Sequence, residues 1–353
     1  MKKYCLFVSL TVVMLLTSCS KHVTDTLVSK TYFTQWNECP ALTALKDYVE
    51  DVTNPNSPNF IKAEDRIATF DMDGTFVGEL YPTYFEYNLL EYRVLDDPSY
   101  RDKAPEDVRQ TAQMIRDFVR KGTKLPSDFE IWHARAAAKA YAGMTIPEFD
   151  KFVKDYAAKP ANGFTGMSYG QGIYQPMLDV FEYLKDKGFT YYVCSGSDRF
   201  ICRALVEPLH IIEPNRVIGM DVMLETNKQG DVPGVEYTMG KDEYVIRTDS
   251  FLIKNVKSNK VRQLSQEIGK IPVLSFGNSS GDAAMHNYCL SNKQYRTAVF
   301  MLVADDDARD HASLAEAAKR EAKWREAGYN IISMKNDFKT IYGPEVKKVD
   351  FVY

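Results

Sequence analysis

The stretch IATFDMDGTFVG, Ile67 to Gly78, ends an apolar, β-prone run with two carboxylates one residue apart, Asp71 and Asp73, followed at once by Gly74 and Thr75. Carboxylates this close repel unless a cation offsets them or one of them takes up a proton. A hard divalent cation such as Mg²⁺ takes oxygen ligands, commonly one or two carboxylates together with the oxygens of a substrate phosphate. Asp71 can ligate through its side chain, with the carbonyl of Asp73 within reach of the same ion. The Asp73 side chain is then free for general acid–base work. A carboxylate that attacks phosphorus forms an aspartyl-phosphate and divides one hard hydrolysis into two easier steps. The N–H groups of Gly74 and Thr75 are candidates to hold phosphate oxygens. A polar Asp-Gly turn that merely closes a strand is the structural alternative.

Three further stretches offer partners for this chemistry. YYVCSGS places the Ser195 hydroxyl and the Gly196 amide at a strand end before a helix, a place suited to phosphate. NVKSNKVRQLSQEIG supplies Lys257, a cation to steady a phosphoryl group and its nucleophile. LSFGNSSGDAAM sets Asn278 and Asp282 four apart across a strand, turn and helix, two oxygen donors for a metal ion or its waters. Each alone also reads as structure: a serine helix cap, a solvated lysine, a glycine turn with an aspartate cap.

The elements that must position these residues follow from periodicity. DRIATFD is a short apolar run that reads as a central parallel strand. From Pro82 to about Ala158 apolar residues recur at three- and four-residue spacing in four segments, most with Pro near the first helical position, which predicts an all-helical block. After the Gly-rich connector Asn162–Gly172 the pattern alternates. FTYYVCSGS predicts a strand ending at Ser195, residues 216–253 read as β-hairpin, and IPVLSFGN, RTAVFMLV and YNIISMK read as strands between helices. Strands alternating with helices predict an α/β fold with a doubly wound parallel sheet, interrupted after its first strand by the helical block. Ligands of such sheets bind at the carboxyl ends of strands, and Asp71, Ser195 and Asn278 all fall there. The expected organisation is a leader over residues 1–18, a polar lead-in and linker over 19–60, a catalytic core over 61–78 and 173–353, and a helical insert over 79–172.

In order and spacing the four stretches resemble the motifs of the haloacid dehalogenase-like (HAD) superfamily, from Asp65 to about Asn287. The helical insert resembles the cap of its phosphoserine-phosphatase-like branch, and WNECPALTALKDYV, YQPMLDVFEYL and FGNSSGD are similar to exported bacterial members of that branch. The resemblance implies a Rossmann-like core, Mg²⁺, a small phosphorylated metabolite as substrate, Asp71 as nucleophile, Asp73 as acid and base, and Ser195 as the second-motif hydroxyl. Lys257 becomes the third-motif lysine, because its distance to Ile268-Gly269 fits better than that of Lys254 or Lys260, with Lys260 as rival. Asn278 and Asp282 fill the fourth motif, where Asn278 stands in place of the usual Asp and removes one negative charge. An Asp at position 73 favours a phosphatase over the dehalogenase and P-type ATPase branches of the superfamily. Glu79 sits one residue short of the glutamate that binds the substrate amine in phosphoserine phosphatases and is a candidate for substrate contact. Two other functions are compatible with the same residues: phosphotransfer to an acceptor alcohol, and binding of a phosphorylated ligand without turnover.

The remaining features bound the setting. The chain has 353 residues, 45% of them hydrophobic, and a net charge of −4 that offers no basic field for a nucleic acid. Lys2 and Lys3 precede an apolar run too short to span a bilayer comfortably, and LTSC (Leu16–Cys19) resembles a bacterial lipobox. That resemblance implies lipid on Cys19, a membrane anchor, and a protein exported to the cell envelope. Cys39, Cys194, Cys202 and Cys289 are scattered without metal-ligand spacing, and a disulfide among them is left open. His133 reads as a structural histidine, and ADDDARD (Ala304–Asp310) as an acidic helix start rather than a second metal site.

Overall fold

The computed structural model describes residues 30–353, so the leader and the anchor expected at Cys19 lie outside the described residues. Its strands are β1 (Ile67–Phe70), β2 (Phe164–Thr165), β3 (Thr190–Asp198), β4 (Val217–Thr226), β5 (Val245–Ile253), β6 (Leu274–Gly277), β7 (Ala298–Val303), β8 (Asn330–Ser333) and β9 (Lys347–Lys348). Its helices are α1 (Pro40–Thr53), α2 (Phe85–Glu91), α3 (Glu106–Lys121), α4 (Phe129–Ala140), α5 (Ile146–Ala157), α6 (Gln175–Asp186), α7 (Arg199–Val206), α8 (Ser258–Ile268), α9 (Ala283–Leu290), α10 (Leu314–Glu326) and α11 (Met334–Asp337).

All four residues of β1 are buried, and this strand lies at the centre of a seven-stranded sheet of order β5-β4-β3-β1-β6-β7-β8. Every neighbouring pair is parallel except β4 with β5, which form the expected hairpin at one edge. Ile67 lies opposite Thr190 on one side of β1, and Ala68 opposite Leu274 on the other. Phe70 stacks on Phe276 with ring centres 4.3 Å apart, and Phe276 on Phe300, so an aromatic ladder crosses the sheet beneath the strand ends. The chain winds away from β1 in both directions, so the carboxyl end of β1 is the switch point of a doubly wound α/β fold.

Helices α2 to α5 all lie between β1 and β3, as the three- and four-residue periodicity predicts. The amphipathic patterns hold because each helix has a face to bury: α3 presents Val108, Ala112 and Ile115, and α5 presents Phe149 and Val153. The start of α5 is fixed by a reciprocal Thr145–Glu148 capping box.

Within the lead-in and linker expected over residues 19–60, Pro40–Thr53 forms α1 and turns over residues 55–59 follow it. Phe33, Trp36 and the apolar face of α1 are buried in the main core. Trp36 Nε1 donates to the Pro176 carbonyl at 2.8 Å, and Tyr48 Oη donates to that of Val273 at 2.8 Å. β3 also runs past Ser195 to Asp198, with a slip in its pairing to β4 between Cys194 and Asp198. Cys39, Cys194, Cys202 and Cys289 are free thiols, and Cys39 Sγ caps α1 by accepting from the Leu42 N–H.

The acidic run 304–310 is a loop rather than a helix start, since α10 begins only at Leu314. Its carboxylates hold local structure: Asp306 accepts from the Ala308 and Arg309 N–H groups and pairs with the Arg309 side chain, and Asp307 pairs with Lys348. Asp310, 3% exposed, accepts from Tyr342 Oη and the His311 N–H.

Burial pushes the Asp310 carboxyl up to about 7. An unfolded chain ionises this group from about pH 4, while the folded protein resists until about pH 7, so stability falls across that window and the deficit persists above it. Asp310→Asn keeps the acceptor for Tyr342 and His311 and removes the penalty. In urea denaturation the variant is expected to match the wild type near pH 4 and to exceed it by roughly 1–4 kcal/mol at pH 8. An equal difference at both pH values would refute this account of Asp310.

Candidate active site

The backbone N–H of Asp71 donates to the Phe276 carbonyl, which extends the β1–β6 ladder by one residue. The chain then turns sharply: the Met72 carbonyl accepts from the N–H groups of Thr75, Phe76 and Val77, and the Gly74 N–H donates to the Val77 carbonyl. Gly74 has a left-handed φ of 74°, and a Cβ there would overlap Asn278 Nδ2 and Glu79 Oε2. The turn changes one expectation. The N–H groups of Gly74 and Thr75 are spent inside it and are not available to a phosphate, whereas those of Met72 and Asp73 have no hydrogen-bond acceptor among the described residues.

Asp71 Oδ1 receives Lys260 Nζ at 2.5 Å, and the same ammonium reaches Asp282 Oδ1 at 2.7 Å. Burial and then the Asp282 charge push Asp71 up to about 7, against the pull of Lys260. Burial also acts to raise Asp282, but Lys260 holds it below the usual carboxylate range. Although burial opposes it, the two carboxylates keep the Lys260 ammonium charged. Asp71 Oδ2 has no partner among the described residues, and Asp71 lines the cleft.

The lysine expected from spacing, Lys257, is corrected to Lys260. Lys257 precedes α8 with a left-handed φ of 53° and is exposed at the mouth of the cleft, while its N–H donates to the Gly281 carbonyl. Lys260 is in the first turn of the helix, on the face that also buries Gln263 and Leu264. The i, i+4 relation of Lys260 to Leu264 was the available signal, since it puts the lysine on the inward stripe. A second correction concerns the hydroxyl. Ser195 is fully buried and its Oγ accepts from the Ser197 N–H, whereas Ser197 lines the cleft and its Oγ donates to Asp73 Oδ2 at 2.7 Å. The pairing slip in β3 brings this about. Gly196 does line the cleft.

Asp73 Oδ1 is buried and unpartnered. Burial, with Glu86 and Glu79 nearby, pushes Asp73 up to about 7 against the hydrogen bond from Ser197. Glu79 does reach the site: its Oε2 accepts from Asn278 Nδ2 at 2.6 Å, and burial pushes it up to about 7 against the pull of Arg320. The rest of the cleft, a cavity of about 320 Å³, is lined by Tyr84, Tyr87 and Lys254 among others, and by Glu86, Glu130 and Arg320, for which spacing gave no signal. His133 is buried beneath this wall. Burial takes its pKa down to about 4.

The donor atoms at the strand ends are all oxygen: the free Asp71 carboxylate oxygen, the Asp73 carbonyl and the Asn278 amide. Among the described residues no three His, Cys, Asp or Glu side chains gather into a metal cage. A set of one carboxylate, one carbonyl and one amide nonetheless suits a hard cation that keeps several waters. Three acids raised to about 7, two of them buried, with an orphaned carboxylate oxygen at Asp73, leave this pocket short of positive charge, so the residues fit Mg²⁺. Asp282 does not belong to that set. Its Oδ1 holds Lys260, and its Oδ2 accepts from the N–H groups of Asn278 and Ser279 and from Ser279 Oγ.

No family model matches this chain, and neither does any curated protein. Among solved structures it is similar to a conserved protein of unknown function from Anaerococcus prevotii, at 14% identity over 88% of this chain and 98% of that one, with a TM-score of 0.51. It is also similar to cytosolic 5'-nucleotidase IIIB bound to cytidine (13% identity, 78% and 82% of the two chains, TM-score 0.46). A third is a phosphoserine phosphohydrolase-like protein from Francisella tularensis (13% identity, 76% and 94%, TM-score 0.40). The first of these likenesses shows that the fold is shared along nearly the whole of both chains.

The geometry separates the two lysines experimentally. Lys260→Met would leave Asp71 and Asp282 buried without their cation and is expected to cost about 3–5 kcal/mol of stability. Lys257→Met, at an exposed position, is expected to stay within about 0.5 kcal/mol of the wild type. Chemical denaturation of the two variants measures the difference, and equal costs would contradict the assignment.

Proposed function

We propose that the protein is a Mg²⁺-dependent phosphatase of the HAD superfamily that hydrolyses a small phosphomonoester through an aspartyl-phosphate. The observation that carries this reading is Asp71: one oxygen fixed by Lys260, the other free, beside two unpaired backbone N–H groups at a sheet switch point. Such a carboxylate is oriented as a nucleophile, and the adjoining N–H pair suits the oxygens of a phosphoryl group. Asp71 Oδ2 attacks phosphorus while the bond to the ester oxygen breaks, and Asp73 gives its proton to that departing oxygen. Asp73 then takes a proton from the water that attacks the acyl phosphate, which releases inorganic phosphate and restores both carboxyls. A pKa near 7 suits Asp73 to both duties at neutral pH. Asp71, the Asp73 carbonyl and Asn278 would hold the ion, which when bound offsets the charge gathered between nucleophile and phosphate. Ser197 orients Asp73 through its hydroxyl. For location, we propose the cell envelope, with a lipid anchor on Cys19; the support is the Leu16–Cys19 stretch.

The test is hydrolysis of p-nitrophenyl phosphate, followed by a panel of phosphorylated metabolites, with Mg²⁺ added or chelated. Activity is expected with Mg²⁺ and to be lost with EDTA. Asp71→Asn is expected to lower kcat by at least about 10³-fold, with the fold intact by circular dichroism. Folded wild-type protein that turns over no phosphoester at any Mg²⁺ concentration would overturn the proposal, and tight phosphate binding without turnover would identify a binding protein instead.

A further inference from the structure

The helical insertion leaves the sheet after β1 and returns before α6 through two segments that pair with each other: Gly78 N–H donates to the Gly172 carbonyl, and Tyr174 N–H to that of Phe76. A lid that swings on such a hinge needs its far edge free. Here the far edge is bonded into the core sheet. The Gly143 N–H donates to the Arg247 carbonyl at 2.8 Å, the Arg247 N–H donates to the Met144 carbonyl at 2.9 Å, and Thr145 bridges to Ile246. The loop between α4 and α5 therefore extends the edge strand β5.

Side chains reinforce this seam. Arg247 is fully buried, with Nη2 donating to Asp198 Oδ2 at 2.6 Å and its guanidinium 4.0 Å from the ring centre of Phe149 in α5. A core-strand arginine is thus seated inside the insertion and paired with an aspartate at the end of β3. Nearer the cleft, Glu86 of α2 accepts from Lys254 Nζ at 2.7 Å and from the Asp198 N–H at 3.1 Å, with all three residues buried. Opening would part the buried Glu86–Lys254 ion pair, release the Asp198 N–H from Glu86, break two peptide hydrogen bonds and pull Phe149 off Arg247.

Resting on the phosphatase reading, we infer that the insertion is riveted to the sheet and stays closed through turnover, so that a permanent mouth selects the substrate. The cleft behind that mouth is lined by Tyr84, Tyr87, Glu130, Lys257, Ser280 and Arg320 among others. It admits small phosphomonoesters phosphate-first and leaves the alcohol portion facing two tyrosines and charges of both signs.

The double variant Thr145→Cys/Ile246→Cys tests this by covalently locking the seam. Residues facing each other across an antiparallel pair lie about 4.5–5.5 Å apart at Cα, within the span of a disulfide. Oxidised and dithiothreitol-reduced forms are expected to hydrolyse p-nitrophenyl phosphate within twofold of each other. A reduced enzyme that is active and falls tenfold or more on oxidation would overturn the inference while leaving the phosphatase reading intact. Should the wild type or the reduced variant show no activity, amide exchange in the wild-type protein decides the matter. The Gly143 and Arg247 N–H groups are expected to exchange as slowly as those of β4, with or without saturating inorganic phosphate. Fast exchange that phosphate slows tenfold would show a moving lid.

Discussion

One ammonium between two carboxylates organises this molecule. Lys260 bridges Asp71 and Asp282 at 2.5 and 2.7 Å, and all three groups are buried. Removing three charges from water is costly, and the arrangement holds only because each group has its partner in contact. The triad also joins three separate pieces of chain: the end of β1, the first turn of α8, and the turn that leads into α9. Asp282 uses its second oxygen to hold the N–H groups of Asn278 and Ser279. The lysine therefore sets both the orientation of Asp71 and, through Asp282, the loop that carries Asn278.

This triad needs the sheet order. β1 lies between β3 and β6, so the turn after it is flanked by the end of one neighbour carrying Gly196 and Ser197 and the end of the other carrying Asn278. A strand at the edge would have one such neighbour. Four buried residues in β1 and the Phe70–Phe276–Phe300 stack fix the height at which the strands stop, and so the level at which the reactive groups meet.

What the sequence made legible was whatever obeyed a local rule. The apolar run before Asp71, the glycine turn, the helical spacing of the insertion and the alternation of strands with helices each depend on residues a few positions apart, and each reappears in the fold. Misassigned residues sat at irregularities. Lys257 and Lys260 differ by less than one helical turn, and only the onset of α8 at Ser258 decides which faces inward. Ser195 and Ser197 were separated by a slip in strand pairing that no propensity encodes. Wholly silent were contacts between distant segments: Glu86 meets Lys254 across 168 residues, and Arg247 meets Asp198 across 49. Buried ion pairs of this kind leave no periodic trace, because each member reads on its own as a surface charge.

The asparagine at 278 departs from the acidic residue that the resembling motif carries, and its neighbours explain how the cleft accommodates it. Asn278 Nδ2 donates to Glu79 Oε2 at 2.6 Å, and Gly74 leaves the space in which the two side chains meet. An aspartate at 278 would set a second carboxylate against Glu79 in a pocket where burial has already pushed three acids to about 7. The amide turns that repulsion into a hydrogen bond. Position 278 therefore carries an amide that holds Glu79 in place, where an acid would have repelled it. Gly74, Glu79 and Asn278 form one interdependent unit, since a side chain at the first would displace the other two.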